Sequence, residues 1–180
     1  MASDDANEYA LGYSERELKR LRRQAQLVNP ITRQYLIEAG IEPGMRVLDV
    51  GSGAGDVAFL AAELVGPSGQ VVGVDRSPDA LALARSRAKE QSLANVTFLE
   101  GELSAMAFGQ LFDAAIGRYV LCFQPDPAAS LREISRLVRP GGIVLFHEPD
   151  RKQIRSYPPS PPMTRCPSGS TKPFGGPAWT

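Results

Sequence analysis

The sequence predicts an α/β protein built on a doubly wound parallel sheet with helices on both faces. Short apolar runs of β character alternate along the 180 residues with segments in which apolar residues recur at helical spacing. Clusters of glycine, proline, serine and asparagine separate these segments. Strands that alternate with helices form parallel sheets, because each crossover returns the chain to the start of the next strand. Five strands are recognisable, at about residues 46–50, 70–74, 96–99, 112–116 and 143–146.

Three regions follow one another along the chain. Residues 1–40 are predicted to form N-terminal helices, and residues 41–150 the sheet with its covering helices. Residues 151–180 are rich in proline, serine and glycine and show no periodicity, so we expect an irregular tail.

Local signals place the beginnings of the helices. Ser14 and Glu17 fit a capping box at the start of a first helix, and a second helix is predicted over about residues 30–39. Ser77 and Asp126 are each followed by a proline, which is the pattern of an N-cap residue and a first helical residue.

Composition limits the classes of function. With 20 basic and 20 acidic residues the net charge is zero, which argues against a nucleic-acid-binding surface. We expect no membrane span and no secretory signal, because apolar runs of the required length are absent. The two cysteines, Cys122 and Cys166, and the single histidine fit no metal-ligand spacing, so no metal site is predicted. The expected compartment is the reducing cytoplasm.

The run RVLDVGSGAGD at residues 46–56 predicts a strand, a glycine turn and the start of a helix. Such a turn presents backbone N–H groups and a helix N-terminus to a small ligand, and glycine avoids a Cβ that would block the ligand. The pattern D-x-G-x-G-x-G runs from Asp49 to Gly55. A dinucleotide-binding fingerprint would need its third glycine where Asp56 stands, and no phosphate-loop lysine follows.

Two acidic residues follow the next two predicted strands. Asp75 can accept hydrogen bonds from both hydroxyls of a ribose, or it caps the turn before Ser77, and we favour the ribose. The Glu102 carboxylate can accept from an adenine amino group while the Leu103 N–H donates to a ring nitrogen. The alternative for Glu102 is a solvated acid in a loop.

Five segments carry a family resemblance: VLDVGSGAGD, VVGVD, NVTFLEGE, FDAAIGRYVL and LVRPGGIVLF. In this order and spacing they resemble the motifs of class I S-adenosylmethionine-dependent methyltransferases, of the type found in ubiquinone and menaquinone biosynthesis. The resemblance covers about residues 30–150. It implies a Rossmann-like fold, S-adenosylmethionine as the cofactor, and methyl transfer to a small-molecule acceptor.

The same resemblance implies roles for individual residues. The glycine turn would surround the methionine part of the cofactor, Asp49 would support that turn, Asp75 would bind the ribose, and Glu102 with Leu103 would bind the adenine. The N-terminal helix would fold over the cofactor as a lid. The complete set of implied cofactor contacts is Asp49, Gly51, Ser52, Gly53, Gly55, Asp75, Arg76, Glu102, Leu103 and Arg118.

Three residues are candidates for a part in catalysis. Arg118 and Tyr119 follow the fourth strand, where Arg118 either binds an acidic group or is an ordinary surface arginine. His147 ends the fifth strand and is either a general base or a polar residue at a strand end. No nucleophile triad is expected, since the sulfonium methyl group is already electrophilic and the enzyme mainly aligns the reactants.

The chain departs from the family after the fifth strand. Members of the family continue with a helix and two further strands, which residues 151–180 do not resemble. We therefore expect a C-terminally truncated chain without the last two family strands, with part of the acceptor pocket missing and the edge of the fifth strand exposed. Three functions compete: an active methyltransferase, a non-catalytic fragment that binds S-adenosylmethionine, and, more weakly, an NAD-dependent oxidoreductase.

Overall fold

The structure, a computed structural model, describes residues 15–150, with side chains from Ala25 onward. The predicted capping box and the tail at 151–180 lie outside what it describes. The helices are α1 (Glu15–Glu38), α2 (Asp56–Val65), α3 (Pro78–Glu90) and α4 (Pro127–Ser135). The strands are β1 (Arg46–Val50), β2 (Gln70–Asp75), β3 (Val96–Glu100), β4 (Phe112–Arg118) and β5 (Val138–His147). Two 3₁₀ turns cover Leu103–Ala105 and Leu121–Phe123.

The five strands form one parallel sheet in the order β3-β2-β1-β4-β5. The chain runs outward from the central β1 to β3, and then returns to the other side of β1 with β4 and β5. Helices α1, α2 and α3 cover one face of the sheet and α4 covers the other. The predicted Rossmann-like, doubly wound sheet is therefore confirmed.

Alternating side chains of β1 serve both layers of the core. Val47 packs with α1–α3, whereas Leu48 and Val50 pack with α4 and the 3₁₀ turns. Burial on both sides explains why β1 is apolar after Arg46, with Asp49 as the one exception. No helix among residues 15–150 is long and apolar enough to cross a membrane.

Both predicted helix starts in the core region are confirmed. Ser77 Oγ accepts a hydrogen bond from the Ala80 N–H at 3.3 Å, and Asp126 Oδ1 accepts one from the Ala129 N–H at 2.9 Å. In each helix proline occupies the first turn, where a missing N–H removes no helical hydrogen bond.

The prediction of two separate N-terminal helices is wrong, because α1 is one helix of 24 residues with Pro30 inside it. Proline interrupts the hydrogen-bond pattern at one position only. Tertiary packing carries the helix through it, since Ala25, Thr32 and Leu36 share one helical face and are all buried.

The predicted end of α4 is also wrong. The helix stops at Ser135, and the RPGG segment that was expected to end it is an irregular part of β5. Phe112 pairs with Val138 but Ala114 pairs with Ile143, so β5 bulges between these two pairs. A bulge is one of the few positions in a sheet that accepts a proline.

Candidate cofactor and acceptor site

The order of the strands leaves a crevice at the carboxyl edge of the described sheet. Crossovers leave β1 and β4 towards opposite faces of the sheet, so the space beyond the carboxyl ends of these two strands is open to a ligand. Val50 pairs with Gly117, and the turns after the two strands therefore flank this crevice. Predicted site residues follow β1, β2, β3, β4 and β5, and the parallel sheet brings all of these strand ends to one edge.

Glycine is required in the turn after β1. The φ angles of Gly51, Gly53 and Gly55 are 64°, 51° and 87°, in the left-handed region that residues with a Cβ rarely adopt. A Cβ on Gly51 would lie 2.7 Å from Val120 Cγ2, whereas a Cβ on Gly53 would meet nothing within 4 Å. The turn is thus pressed against the loop after β4 at Gly51 and faces open space at Gly53.

Asp75 ties this turn to the start of α3. Its Oδ2 accepts a hydrogen bond from the Gly53 N–H at 2.8 Å, and its Oδ1 accepts one from the Ser77 N–H at 2.9 Å. The turn-capping contact considered from the sequence is therefore present. A carboxylate has about four lone-pair positions, so two remain available for a ligand.

Two buried polar atoms beside the turn have no hydrogen-bond partner within the described part of the chain: Asp49 Oδ2 and Ser52 Oγ. Asp49 is 1% exposed and Ser52 is 7% exposed. About nine in ten or more buried polar groups in proteins have a partner, so two unpaired buried oxygens beside the glycine turn indicate a place for a polar ligand. The site therefore fits a ligand that brings its own hydrogen-bond donors.

Burial raises the pKa of Asp49 to about 8. The Arg118 guanidinium lowers this pKa, and the negative charges of Asp75 and Asp56 raise it further. A cationic ligand next to Asp49 would favour the carboxylate, because an opposite charge stabilises the ionised form.

Arg76 and Glu102 lie side by side on the same edge. Asp75 pairs with Glu100 in the sheet, and Arg76 Nη1 lies 3.1 Å from Glu102 Oε1. Their side chains are 45% and 59% exposed, so the ion pair adds little to stability. Leu103 opens the first 3₁₀ turn directly after Glu102. The carboxyl ends of β2 and β3 are neighbours in the sheet, and they therefore bring Arg76, Glu102 and Leu103 to the same place.

The structure places Arg118 against α1. Its Nη1 donates to Asn29 Oδ1 at 2.9 Å and to Thr32 Oγ1 at 3.1 Å. Sequence reasoning missed Asn29 and Thr32. The available signal was Thr32 itself, a polar residue on the buried face of α1. Arg118 thus fastens the N-terminal helix to the end of β4.

Aromatic side chains surround His147 at the end of β5. The ring of Tyr35 meets the imidazole edge-on with centroids 5.1 Å apart, and the ring of Tyr119 lies 5.8 Å away. Tyr119 has a φ of 59°, a strained value that often occurs at functional sites. Burial and, to a smaller extent, Arg118 lower the pKa of His147, while Glu148 raises it.

Glu148 holds the loop after β4, a role that the sequence did not reveal. Its carboxylate accepts the N–H groups of Val120, Leu121 and Cys122 at 2.8, 3.0 and 3.1 Å. Val120 is the residue that contacts Gly51. A single carboxylate beyond β5 therefore positions one wall of the crevice.

Glu148→Gln is expected to lower the free energy of unfolding by roughly 2 kcal/mol, because hydrogen bonds to a charged group are worth about 1.5–3 kcal/mol. The glutamine amide retains one acceptor oxygen and directs an NH₂ group at a backbone donor. Urea denaturation measures the change, with Glu133→Gln on the exposed side of α4 as the matched control. Equal midpoints for the two variants would show that the three hydrogen bonds contribute nothing.

Comparison with known proteins gives consistent matches. A profile of the family described as "Methyltransferase domain" matches residues 41–171. Demethylmenaquinone methyltransferase of Lactococcus lactis subsp. lactis is 37% identical over 115 residues, which are 63% of this chain and 46% of that protein. Arsenite methyltransferase of Aquipseudomonas alcaligenes is 36% identical over 121 residues, 63% of this chain and 35% of that protein.

The fold also matches solved structures. A SAM-dependent methyltransferase from Aquifex aeolicus superposes with a TM-score of 0.56 and 27% identity, over 61% of this chain and 58% of that chain. The chain spans about half the length, or less, of the curated relatives that it matches.

Proposed function

Because the chain belongs to the methyltransferase domain family, we propose that it binds S-adenosylmethionine in the crevice and transfers the methyl group to a small-molecule acceptor. One observation carries this proposal: the unpaired buried atoms Asp49 Oδ2 and Ser52 Oγ lie beside a glycine turn that faces open space. The methionine part of the cofactor has an ammonium group, which is a cation with several hydrogen-bond donors. The positive charge of this group would favour the ionised form of Asp49, and its N–H groups would supply the donors that the two oxygens lack.

The residues at the different strand ends would bind different parts of the cofactor. Gly51, Ser52, Gly53 and Gly55 would surround its methionine part. The free lone pairs of Asp75 would accept the ribose hydroxyls, since its other two already hold the glycine turn and α3. Glu102, with Leu103 and its neighbour Arg76, would contact the adenine.

When bound, S-adenosylmethionine supplies an electrophilic methyl group. The work of the protein is to align an acceptor with that group and to exclude water. Arg118 would hold α1 across the edge of the site through Asn29 and Thr32. In this way the N-terminal helix would serve as the predicted lid.

A flat organic acceptor fits the end of β5 best. Tyr35, Tyr119 and His147 present three rings there, and aromatic rings pack well against one another. One matched relative is named for a menaquinone precursor and another for arsenite. Arsenic(III) is a soft acceptor that thiolates bind, and the chain has two cysteines, of which only Cys122 lies among the described residues. We therefore favour a hydroxylated aromatic compound or hydroquinone.

Transfer of labelled methyl from S-adenosylmethionine tests this proposal. We expect the full chain to label a naphthohydroquinone or phenol and to leave arsenite and aliphatic acids unlabelled. The Asp75→Ala variant is the control for cofactor-dependent labelling. Binding of the cofactor with no label in any acceptor would replace the proposal with the non-catalytic alternative.

A further inference from the structure

Thr32 is a buried hydroxyl at the meeting point of three elements. It is 1% exposed, and its Oγ1 lies 3.2 Å from the Val28 carbonyl oxygen, 3.1 Å from Arg118 Nη1 and 3.0 Å from His147 Nδ1. Arg118 is always a donor, so it uses one lone pair of the Thr32 oxygen. The single hydroxyl proton then decides which ring nitrogen of His147 carries hydrogen.

Two arrangements of that proton differ in the number of contacts they satisfy. If the hydroxyl donates to the Val28 carbonyl, its second lone pair accepts an Nδ1–H from His147, and all three contacts are hydrogen bonds. If the hydroxyl donates to Nδ1 instead, the oxygens of Thr32 and Val28 lie 3.2 Å apart with no proton between them. The first arrangement has three hydrogen bonds and the second has two.

We propose that Thr32 holds His147 in its Nδ1–H tautomer and leaves Nε2 free to accept the proton of a hydroxyl group on the methyl acceptor. This inference rests on the proposed methyl transfer and names its acceptor as a compound with an ionisable O–H. Thr32 is a positioning residue, and His147 is the group that would touch the substrate. Among the described residues no hydrogen bond to Nε2 is present.

The position of His147 agrees with this role. Arg118 pairs with His147 in the sheet, and both side chains lie on the face covered by α1. Two strand spacings, roughly 10 Å, separate β5 from β1 and its glycine turn. A methyl carbon, an acceptor oxygen about 3 Å away and a base nitrogen about 3 Å further fit within that span.

The charges around the imidazole favour its neutral form. Arg118 from β4 opposes protonation and Glu148 favours it, while burial, the largest influence, lowers the pKa of His147. Tyr35 from α1 and Tyr119 from the loop after β4 contact the ring with their aromatic groups. A neutral imidazole with a free Nε2 lone pair is the form that can act as a base.

The proton balance of the step is simple. The acceptor oxygen gives its proton to Nε2 and forms the bond to the methyl carbon. The bond between that carbon and sulfur breaks, and its electron pair stays on sulfur and cancels the sulfonium charge. The imidazolium returns its proton to water, and no oxidant or reductant takes part.

Long-range ¹H–¹⁵N spectroscopy of the full chain tests the tautomer directly, because His147 is the only histidine among the 180 residues. Above the pKa of the ring we expect Nδ1 to be protonated and Nε2 to carry the lone pair. Thr32→Val should shift the ring to the Nε2–H tautomer that free histidine prefers in water. Thr32→Ser keeps the hydroxyl and should keep the wild-type spectrum. A protonated Nε2 in the wild-type protein would overturn the inference.

Kinetics test the proton transfer separately. His147→Gln should lower kcat on a hydroxylated acceptor by about 10²-fold or more, the usual contribution of a general base, and leave S-adenosylhomocysteine affinity unchanged. Thr32→Val should lower kcat by a larger factor than it lowers that affinity, because it removes the contact to His147 and only one of the two Arg118 hydrogen bonds to α1. Thr32→Ser, which keeps the hydroxyl, should return kcat to the wild-type value. An unchanged kcat in His147→Gln at every pH would refute the role of Nε2. Absence of methyl transfer in the wild-type protein would instead contradict the proposed function, and the tautomer would still be read from the spectrum.

Discussion

Asp49→Asn is expected to stabilise the ligand-free protein at pH 8 while weakening the binding of S-adenosylhomocysteine. Burial raises the pKa of Asp49 from 3.8 to about 8 in the folded protein. Between these two values the folded state holds a proton that the unfolded state has lost, so the free energy of unfolding decreases as the pH rises. Asparagine does not ionise, and the variant should therefore keep its stability through this range.

Urea denaturation at pH 5 and pH 8 measures this difference. At pH 8 we expect the Asp49→Asn protein to be the more stable by several kcal/mol, since each pKa unit corresponds to about 1.4 kcal/mol. Asp113 supplies a control of opposite sign, because hydrogen bonds from the Arg46 backbone N–H and the Arg139 side chain lower its pKa. Asp113→Asn should destabilise the protein at pH 8. Parallel pH profiles for wild type and Asp49→Asn would show that Asp49 is not buried as the structure has it.

The affinity of the Asp49→Asn variant for S-adenosylhomocysteine should fall, although its stability rises. Loss of a charge-assisted hydrogen bond worth about 1.5–3 kcal/mol corresponds to roughly tenfold to hundredfold weaker binding. Calorimetric titration with S-adenosylhomocysteine measures this loss in the same variant. A protein that becomes more stable and binds more weakly would mark Asp49 as a residue kept for its ligand.

Asp75→Ala is expected to weaken S-adenosylhomocysteine binding by about 100-fold or more. The substitution removes the acceptor of the Gly53 N–H and, at the same time, the proposed partner of the ribose hydroxyls. Losing two such interactions costs about 3 kcal/mol, which is a factor of more than 100. Titration calorimetry measures the affinity, and circular dichroism checks that the variant is folded.

Asp79→Ala is the matched control for this variant. Asp79 lies exposed in the first turn of α3, four residues from Asp75. Its replacement by alanine removes the same charge as Asp75→Ala does. It should leave the affinity unchanged. Equal affinities for the wild type and Asp75→Ala would exclude Asp75 from the cofactor site.

Much of the fold could be predicted because its signals are local. The apolar residues after Arg46 predict a strand at 46–50, and β1 is Arg46–Val50 in the structure. The strand-turn-helix pattern around Gly53 and the N-caps Ser77 and Asp126 also lie within a few residues of the features they determine. Once strands alternate with helices, the handedness of crossovers leaves few arrangements of the sheet.

Features that depend on distant parts of the chain could not be predicted. Pro30 suggested a boundary between two helices, but packing of Leu36 and Thr32 against the sheet carries α1 through it. The hydrogen bonds of Glu148 to the loop after β4 span 26 to 28 residues, and the contact between Thr32 and His147 spans 115. No periodicity in the sequence encodes such pairs.

In the candidate site, too, the features with local signals could be predicted and those that join distant residues could not. Parallel topology brings Asp49, Asp75, Arg118 and His147 to one edge of the sheet, as their positions at strand ends predicted. The hydrogen bonds from Arg118 to Asn29 and Thr32 of α1 join residues far apart in the chain, and no local pattern predicts them. The roles of these residues towards a cofactor and an acceptor stay predictions.

Titration calorimetry of the full chain with S-adenosylhomocysteine and with NAD decides whether the crevice between β1 and β4 is an S-adenosylmethionine site. We expect one equivalent of S-adenosylhomocysteine to bind and no heat of binding with NAD. Binding of NAD without binding of S-adenosylhomocysteine would contradict this expectation and would favour the oxidoreductase alternative.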